Sequence, residues 1–377
     1  MRIALNARIL QAPRTGIGQY LIELIAALRA DPRIELELFH GWGWSREVPR
    51  AALPGYSRWA AWAKQVPGAY RIRRALDQRR FERGAHRRAT ELYHEPSLWP
   101  LDFAGPMVMT LHDLTHLHYP HTQPRDRLAE IRRRIGPALE RAQCILTDSQ
   151  FVADEISRHY GVAAARLQVA PLGYAERFHP RPAHQLRESL AALGLQPGAY
   201  LLCVGTLEPR KNLSQVLRAH ALLPAATRAR FPLVVAGMAG WRGEDFAVDL
   251  QRALASGQVR LLGYQHDRAL AELLAGARML LFPSLYEGFG LPVLEAMASG
   301  VPVVLAPRAA LPEVAGEAGV YIEPGDDRSW CEAVLRLIED PAEWQARRAC
   351  GLQRAQHFSW KRCATHTIAA YRKALEH

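Results

Sequence analysis

The chain has no uninterrupted apolar run of 18 residues, so no membrane-spanning helix is expected. Its five cysteines, Cys144, Cys203, Cys331, Cys350 and Cys363, form no CxxC pair and are odd in number. A zinc site or disulfide framework is therefore not expected, and free thiols in a reducing cytoplasm fit best. There is no GxGxxG fingerprint. There is also no Asp-x-Asp pair, which argues against a diphosphate site built on a divalent cation. The opening residues, Met1 to Asn6, read as a strand. Asn6 and Arg8 break the apolar run, making a poor signal peptide.

What is present is ordinary in bulk and uneven in detail. An apolar fraction of 49% and a charged fraction of 23% over 377 residues fit a soluble protein of about two domains. The net charge of +11 is concentrated. Arg46 to Thr90 holds twelve Arg or Lys against three acids, a local +9, with Trp42, Trp44, Trp59 and Trp62 inside or beside it. Basic residues interleaved with tryptophans suit an anionic membrane surface, where indoles sit among headgroups. A solvated arginine-rich helix is the plainer reading. Nucleic acid is not expected, because no recognised motif accompanies the charge.

Strand-like and helix-like segments alternate through the first half: 2–9, 18–30, 34–40, then 92–94, 107–110, 125–141, 144–147 and 151–160. A Pro-containing stretch follows, with a linker near 174–186. The alternation then restarts with strands at 200–204, 232–236, 259–262 and 279–282. This order predicts two doubly wound α/β domains, with ligands beyond the carboxyl ends of the strands.

Four loops at such strand ends carry the chemistry. Pro283 to Gly300 is the richest. A turn with Gly288 and Gly290, where the backbone can approach a ligand closely, opens a helix flanked by Glu287 and Glu295. The first helical amides, Leu291 to Leu294, are expected to be open donors at the positive helix end. Gly205-Thr206-Leu207-Glu208-Pro209-Arg210-Lys211-Asn212 pairs a guanidinium fork with an ammonium, a metal-free way to hold a diphosphate; a surface charge pair is the alternative. Thr110-Leu111-His112-Asp113-Leu114 offers a histidine for hydrogen bonding or proton transfer. Thr15-Gly16-Ile17-Gly18-Gln19-Tyr20 is similar to a phosphate loop, or is a plain strand-to-helix turn. His116, His118 and His121 match no standard ligand spacing, and no metal is expected.

Taken together, Glu287-x-Phe289-Gly290-Leu291-Pro292-x-x-Glu295-Ala296-Met297-Ala298-x-Gly300-x-Pro302-Val303 resembles the signature of retaining GT-B glycosyltransferases of family 4. The other three loops resemble that family in the same order, and Phe358-Ser359-Trp360 is similar to its closing helix. The resemblance spans nearly the whole chain and is weakest over 42–90.

It implies a GT-B fold, two Rossmann-like domains facing across a cleft. An acceptor-side domain would cover 1–178 and a nucleotide-sugar domain 186–357, with a helix at 358–377 returning to the first. Arg210 and Lys211 would neutralise the donor diphosphate, and Glu295 would accept from ribose hydroxyls. Glu287 and the amides of Gly288, Phe289, Gly290 and Leu291 would hold the sugar and distal phosphate. His112 would contact the transferred sugar. Gly16 and Gly18 would give close access in the first domain, Gly205 would line the donor site, and Gly263 and Tyr264 would face the base. Pro171-Leu172-Gly173-Tyr174-Ala175-Glu176 lacks the Asp often found after that turn.

The implied reaction is retaining transfer of a hexose to a hydroxyl of a lipid-linked saccharide in O-chain or other surface polysaccharide synthesis. The donor is a substrate rather than a cofactor, with GDP-mannose or GDP-D-rhamnose favoured and UDP-glucose and dTDP-sugars open. Such an enzyme would be cytoplasmic, peripheral on an anionic inner-membrane surface. A sugar-phosphate synthase or phosphorylase with a soluble acceptor, and a non-catalytic nucleotide-sugar-binding protein, are the rival readings.

Overall fold

The computed structural model describes residues 1–11, 16–48, 69–238, 240 and 244–376. Two compact units result. Met1–Leu114, Asp126–Leu172 and Trp360–His377 form the first; Thr115–Arg125 and Gly173–Ser359 form the second.

The first unit carries strands β1 (Arg2–Asn6), β2 (Glu35–Phe39), β3 (Trp44–Ser45), β4 (Leu92–Glu95), β5 (Met107–Thr110), β6 (Cys144–Thr147) and β7 (Leu167–Val169). They lie in the order β3-β2-β1-β4-β5-β6-β7. All neighbours are parallel except β3, which runs antiparallel to β2. Strands β4, β5 and β6 are buried along their whole length, because helices cover both faces of a parallel sheet. One face packs Phe39, Phe81, Tyr93, Met109 and Ile145 into a single core. The last helix, Trp360–Leu375, belongs to this unit and buries Cys363, Ile368 and Tyr371.

The second unit is a sheet of six parallel strands: β8 (Leu201–Val204), β9 (Leu233–Ala236), β10 (Val259–Gly263), β11 (Met279–Phe282), β12 (Val303–Leu305) and β13 (Gly319–Tyr321). Their order is β10-β9-β8-β11-β12-β13. The chain winds outward from β8 in one direction, then returns to add β11 on its other side. That reversal makes the β8/β11 junction the topological switch point, where such sheets leave a crevice beyond the strand ends. Leu201, Val235, Leu281, Val304 and Trp330 anchor the core beneath it.

The division differs from an unbroken first domain over 1–178. The first unit gives way to the second at Leu172. Thr115–Arg125 leaves the first unit as an excursion because its aromatic groups rest on the 285–286 loop. The Tyr119 hydroxyl donates to the Leu285 carbonyl at 3.3 Å, and the His118 ring lies 5.0 Å from that of Tyr286.

Arg46 to Thr90 is helical over Ala69–Arg87. Asp77, Phe81, Gly84 and Ala85 face inward while Arg79, Arg80, Arg83 and Arg87 face out. Trp44 is half-buried and packed against the helix. Its ring stacks on Phe81 at 5.4 Å and its indole N–H donates to the Arg80 carbonyl at 3.3 Å, a partner that satisfies the polar edge of a packed indole. Trp42 is 64% exposed. Trp59, Trp62 and Thr15 lie outside the described residues.

Candidate active site

Two loops meet at the β8/β11 switch point. After β8, Pro209 starts a single tight turn, Pro209–Lys211, which Asn212 ends in a left-handed conformation at φ 53° before the helix Leu213–Leu222. After β11, Pro283 to Gly290 leads into the helix Leu291–Ala298. The loops are clamped by their backbones. The Leu285 N–H donates to the Arg210 carbonyl at 2.9 Å, and Asn212 Nδ2 donates to the Pro283 carbonyl at 3.3 Å.

This clamp brings Arg210, Lys211 and Glu287 together. Lys211 Nζ donates to Glu287 Oε1 at 2.5 Å, and Arg210 Nη1 lies 3.0 Å from Glu287 Oε2. Ser284 donates to the same carboxylate, and Arg210 also donates to the Tyr286 carbonyl. Arg210 Nη2 reaches Glu208 Oε1 at 2.6 Å. Burial would raise the Glu287 pKa, but the charges of Arg210 and Lys211 outweigh it and hold the carboxylate at about 2. Two cations therefore face two carboxylates, a cluster of zero net charge. The cations are fixed and part-buried rather than waiting unpaired, and an arriving diphosphate must share them with Glu287 and Glu208. The surface-pair alternative is excluded by this burial and by the second carboxylate.

Glycine explains how closely the loops approach. A Cβ on Gly237, after β9, would stand 1.8 Å from the Gly205 carbonyl oxygen. Gly290 takes φ +104°, and a Cβ there would meet Leu311 at 2.7 Å. A side chain at either position forces a backbone or core shift. Gly205 lies under the Lys211 stem, whose Cδ would be 3.5 Å from an added Cβ. A small cleft follows, lined by Gly205, Thr206, Lys211, Phe282 and Ser284.

The helix Leu291–Ala298 is less open than its position suggests. Pro292 has no N–H, and Val293 and Leu294 donate to the Gly290 carbonyl. Of the four expected donors, only the Leu291 amide has no bonded partner among the described residues. Phe289 is buried against the Phe358 ring at 5.7 Å, so its side chain packs rather than facing a donor. Glu295 is buried inside the helix. Gly263 ends β10 at φ +67°, and Tyr264 beside it is 51% exposed.

In the first unit, His112 follows β5. Its Nδ1 lies 2.7 Å from Asp148 Oδ2 and its Nε2 3.2 Å from the Pro96 carbonyl. Tyr20 packs edge-on against the ring at 4.7 Å and shares a hydrogen bond with Thr110 at 3.1 Å. The glycine motif Gly16-Ile17-Gly18 thus begins a helix, Gly16–Arg29, whose Tyr20 supports His112. Added Cβ atoms at Gly16 or Gly18 would meet nothing within 4 Å. Asp148 lies outside the sequence motifs, while Tyr20, Glu208 and Ser284 lie within them but carry no assigned role there. The available signal was their place at strand ends or within two or three residues of a motif side chain.

With this geometry in hand, likeness to known proteins becomes informative. Residues 189–356 match the family described as glycosyl transferases group 1, and residues 14–176 match glycosyltransferase family 4. The chain is 34% identical over 379 residues to the Escherichia coli O-antigen chain mannosyltransferase B, covering 99% of this chain and 100% of that one. Among solved structures, a sucrose-phosphate synthase from Thermosynechococcus elongatus aligns over 99% of this chain and 98% of its own, with TM-score 0.76 and 21% identity. The Anabaena protein HepE, in complex with UDP-glucose, aligns over 98% and 99% with TM-score 0.73 and 18% identity. These two likenesses concern the fold.

Proposed function

Because the chain belongs to family 4 of the glycosyltransferases, we propose that it moves a hexose, with mannose favoured over D-rhamnose, from a GDP-sugar to a hydroxyl of a lipid-linked saccharide in O-chain synthesis. The observation that carries this reading is the fixed Arg210–Lys211–Glu287 cluster at the switch point of the second unit. The full-length similarity to an O-antigen mannosyltransferase favours mannose and that pathway. In the proposed step, the bond between the anomeric carbon and the diphosphate oxygen breaks, and its electron pair leaves with the diphosphate. The acceptor oxygen bonds to the same face of that carbon, and its proton passes to the leaving phosphate. Arg210 and Lys211 balance the charge that develops, a role suited to pre-set cations. They take the place of a metal ion. Glu287 orients them and meets the sugar hydroxyls, Glu295 the ribose, and His112 the transferred sugar.

The test supplies GDP-mannose, GDP-D-rhamnose, UDP-glucose and a dTDP-sugar, each with a lipid-linked saccharide and with a soluble sugar phosphate. Transfer from a GDP-sugar to the lipid-linked acceptor, giving an α-linked product from an α-linked donor, is expected. Transfer only to the sugar phosphate, or inversion, overturns the reading.

The acceptor's lipid points to a membrane. No helix among the described residues is long and apolar enough to cross one, so the proposed association is peripheral. On the helix Ala69–Arg87, Ile72 is 65% and Leu76 43% exposed, beside outward arginines; the Arg80 guanidinium lies 5.4 Å from the Trp42 ring centroid. Sedimentation with phosphatidylglycerol vesicles is expected to fall at least about tenfold in affinity on replacing Arg79 and Arg83 with Glu, since each basic residue near an anionic surface is worth about 1 kcal/mol. Equal binding by the variant, or insensitivity to salt, contradicts membrane docking by this face.

A further inference from the structure

His112 has two ring nitrogens and two partners: the Pro96 carbonyl can only accept, and the Asp148 carboxyl only accepts while it is ionised. The Asp148 carboxylate stands 2.7 Å from Nδ1 and the Pro96 carbonyl 3.2 Å from Nε2. Beside an ionised Asp148, a neutral imidazole carries one proton and would set a lone pair against an oxygen at one of these contacts. We propose that Asp148 is a positioning residue for the transfer reaction: it keeps His112 doubly protonated, so that Nε2–H is a permanent donor to a substrate oxygen rather than a base. The proposal rests on the glycosyl-transfer reading above.

The setting of Asp148 supports it. The residue lies between β6 and the helix Gln150–Tyr160, and Ser149 caps that helix through the Val152 N–H. Thr147 Oγ1 donates to the Ser149 carbonyl at 3.1 Å. Asp148 is thus buried on a backbone fixed at both sides, with its carboxylate aimed at one ring.

Burial raises the Asp148 carboxyl above its usual value, and the charge and hydrogen bond of His112 pull against that rise; the other titratable groups around His112 favour the charge resting on its ring. His94 is fully buried between Tyr371 and Thr110 hydroxyls, and burial, helped by His112, pulls its pKa down to about 3. It is neutral and does not compete for the charge. Burial pushes the Tyr20 hydroxyl and the Cys363 thiol far upward, so both stay protonated. Asp113 adds a carboxylate next in sequence. Burial alone would push the His112 imidazole down; Asp148, with Asp113 and the Pro96 carbonyl, outweighs it and raises the pKa above the usual value.

The longer Nε2 contact is the exchangeable one. A substrate hydroxyl or phosphoryl oxygen replaces the Pro96 carbonyl without any change in protonation, so the donor is ready before substrate arrives. His112 neither takes nor gives up a proton during transfer.

Two-bond proton–nitrogen correlation spectra of the full-length protein, labelled with 15N-histidine, read the ring directly. His112 is identified by the signals lost in His112→Gln. Both its nitrogens are expected in the protonated range at about pH 8, where an unperturbed histidine is neutral. Asp148→Asn is expected to lower its titration midpoint by at least about one pH unit, equivalent to a tenfold loss of protonated ring at a given alkaline pH. The alkaline limb of kcat/KM should move by the same amount, and Asp148→Glu should restore part of it. A wild-type His112 that is neutral at pH 8 overturns the proposal, even if Asp148→Asn fails to fold. So does an Asp148→Asn protein whose His112 titrates as in the wild type. The spectra need no substrate, so they judge this point even if no donor is transferred.

Discussion

Lys211→Ala is expected to lower kcat by roughly 10²–10³-fold, the cost of removing one fixed group that stabilises developing charge. Thermal stability should change little. Lys211 is the more exposed of the two cations, and Glu287 keeps Arg210 at 3.0 Å without it. Arg210→Ala should match that loss in rate and also lower the melting temperature, because it strips a partner from Glu208 and Glu287 together. Arg210→Lys should not rescue it, since one ammonium cannot reproduce a fork that spans two carboxylates and a carbonyl. Rates are measured under saturating donor, with melting curves on the same preparations. Wild-type turnover in Lys211→Ala would remove the role given to the pair.

Much of this site was readable beforehand because its chemistry sits at strand ends, and the strands announce themselves. Val204, Ala236 and Phe282 close apolar runs, so Arg210, Lys211 and Glu287 fell on the same edge of one sheet. What could not be read was their pairing. Glu287 seemed a spare acceptor for a sugar, yet the clamp between Leu285 and Arg210 delivers it to both cations. Loop conformation decides that, and loop conformation depends on contacts distant in sequence, such as Gly237 against Gly205. The helix start offers fewer open amides than its position predicts, because Pro292 lacks an N–H and Val293 and Leu294 donate to the Gly290 carbonyl. Trp44 looked interfacial from composition and is packed because Gly84 leaves room for its indole. Short strands such as β3, β7 and β13 carry too few residues for a period to show.

Glu287→Ala is the second large effect. It leaves Lys211 without its carboxylate and Arg210 with Glu208 as its carboxylate partner, in a buried setting. Breaking a buried pair from one side costs about 3–5 kcal/mol, so the second unit should melt at a clearly lower temperature. GDP or pyrophosphate should recover more stability in this variant than in the wild type, because an anion that binds only the folded state stabilises it by mass action. Glu287→Gln separates charge from shape. Held at about 2 against an ordinary 4.5, the carboxylate contributes about 3 kcal/mol above pH ~4.5, and that contribution is lost as the pH falls toward 2. The sign follows from a lowered folded-state pKa: acid must protonate the carboxylate to release its pairing. Denaturant unfolding followed from about pH 5 to pH 2 should therefore fall less steeply in Glu287→Gln than in the wild type. Parallel curves would show that the pair adds no pH-dependent stability.

Calorimetric titration of GDP-mannose into the wild type and into Arg210→Ala/Lys211→Ala, both in excess EDTA, bears most directly on the switch-point cluster as the donor site. The wild type should bind without any divalent cation, and the double variant should bind at least about a hundredfold more weakly, the loss expected when two charge-assisted contacts to the diphosphate disappear. Binding that requires a metal ion, or that is equally strong in both proteins, would contradict a diphosphate held by Arg210 and Lys211.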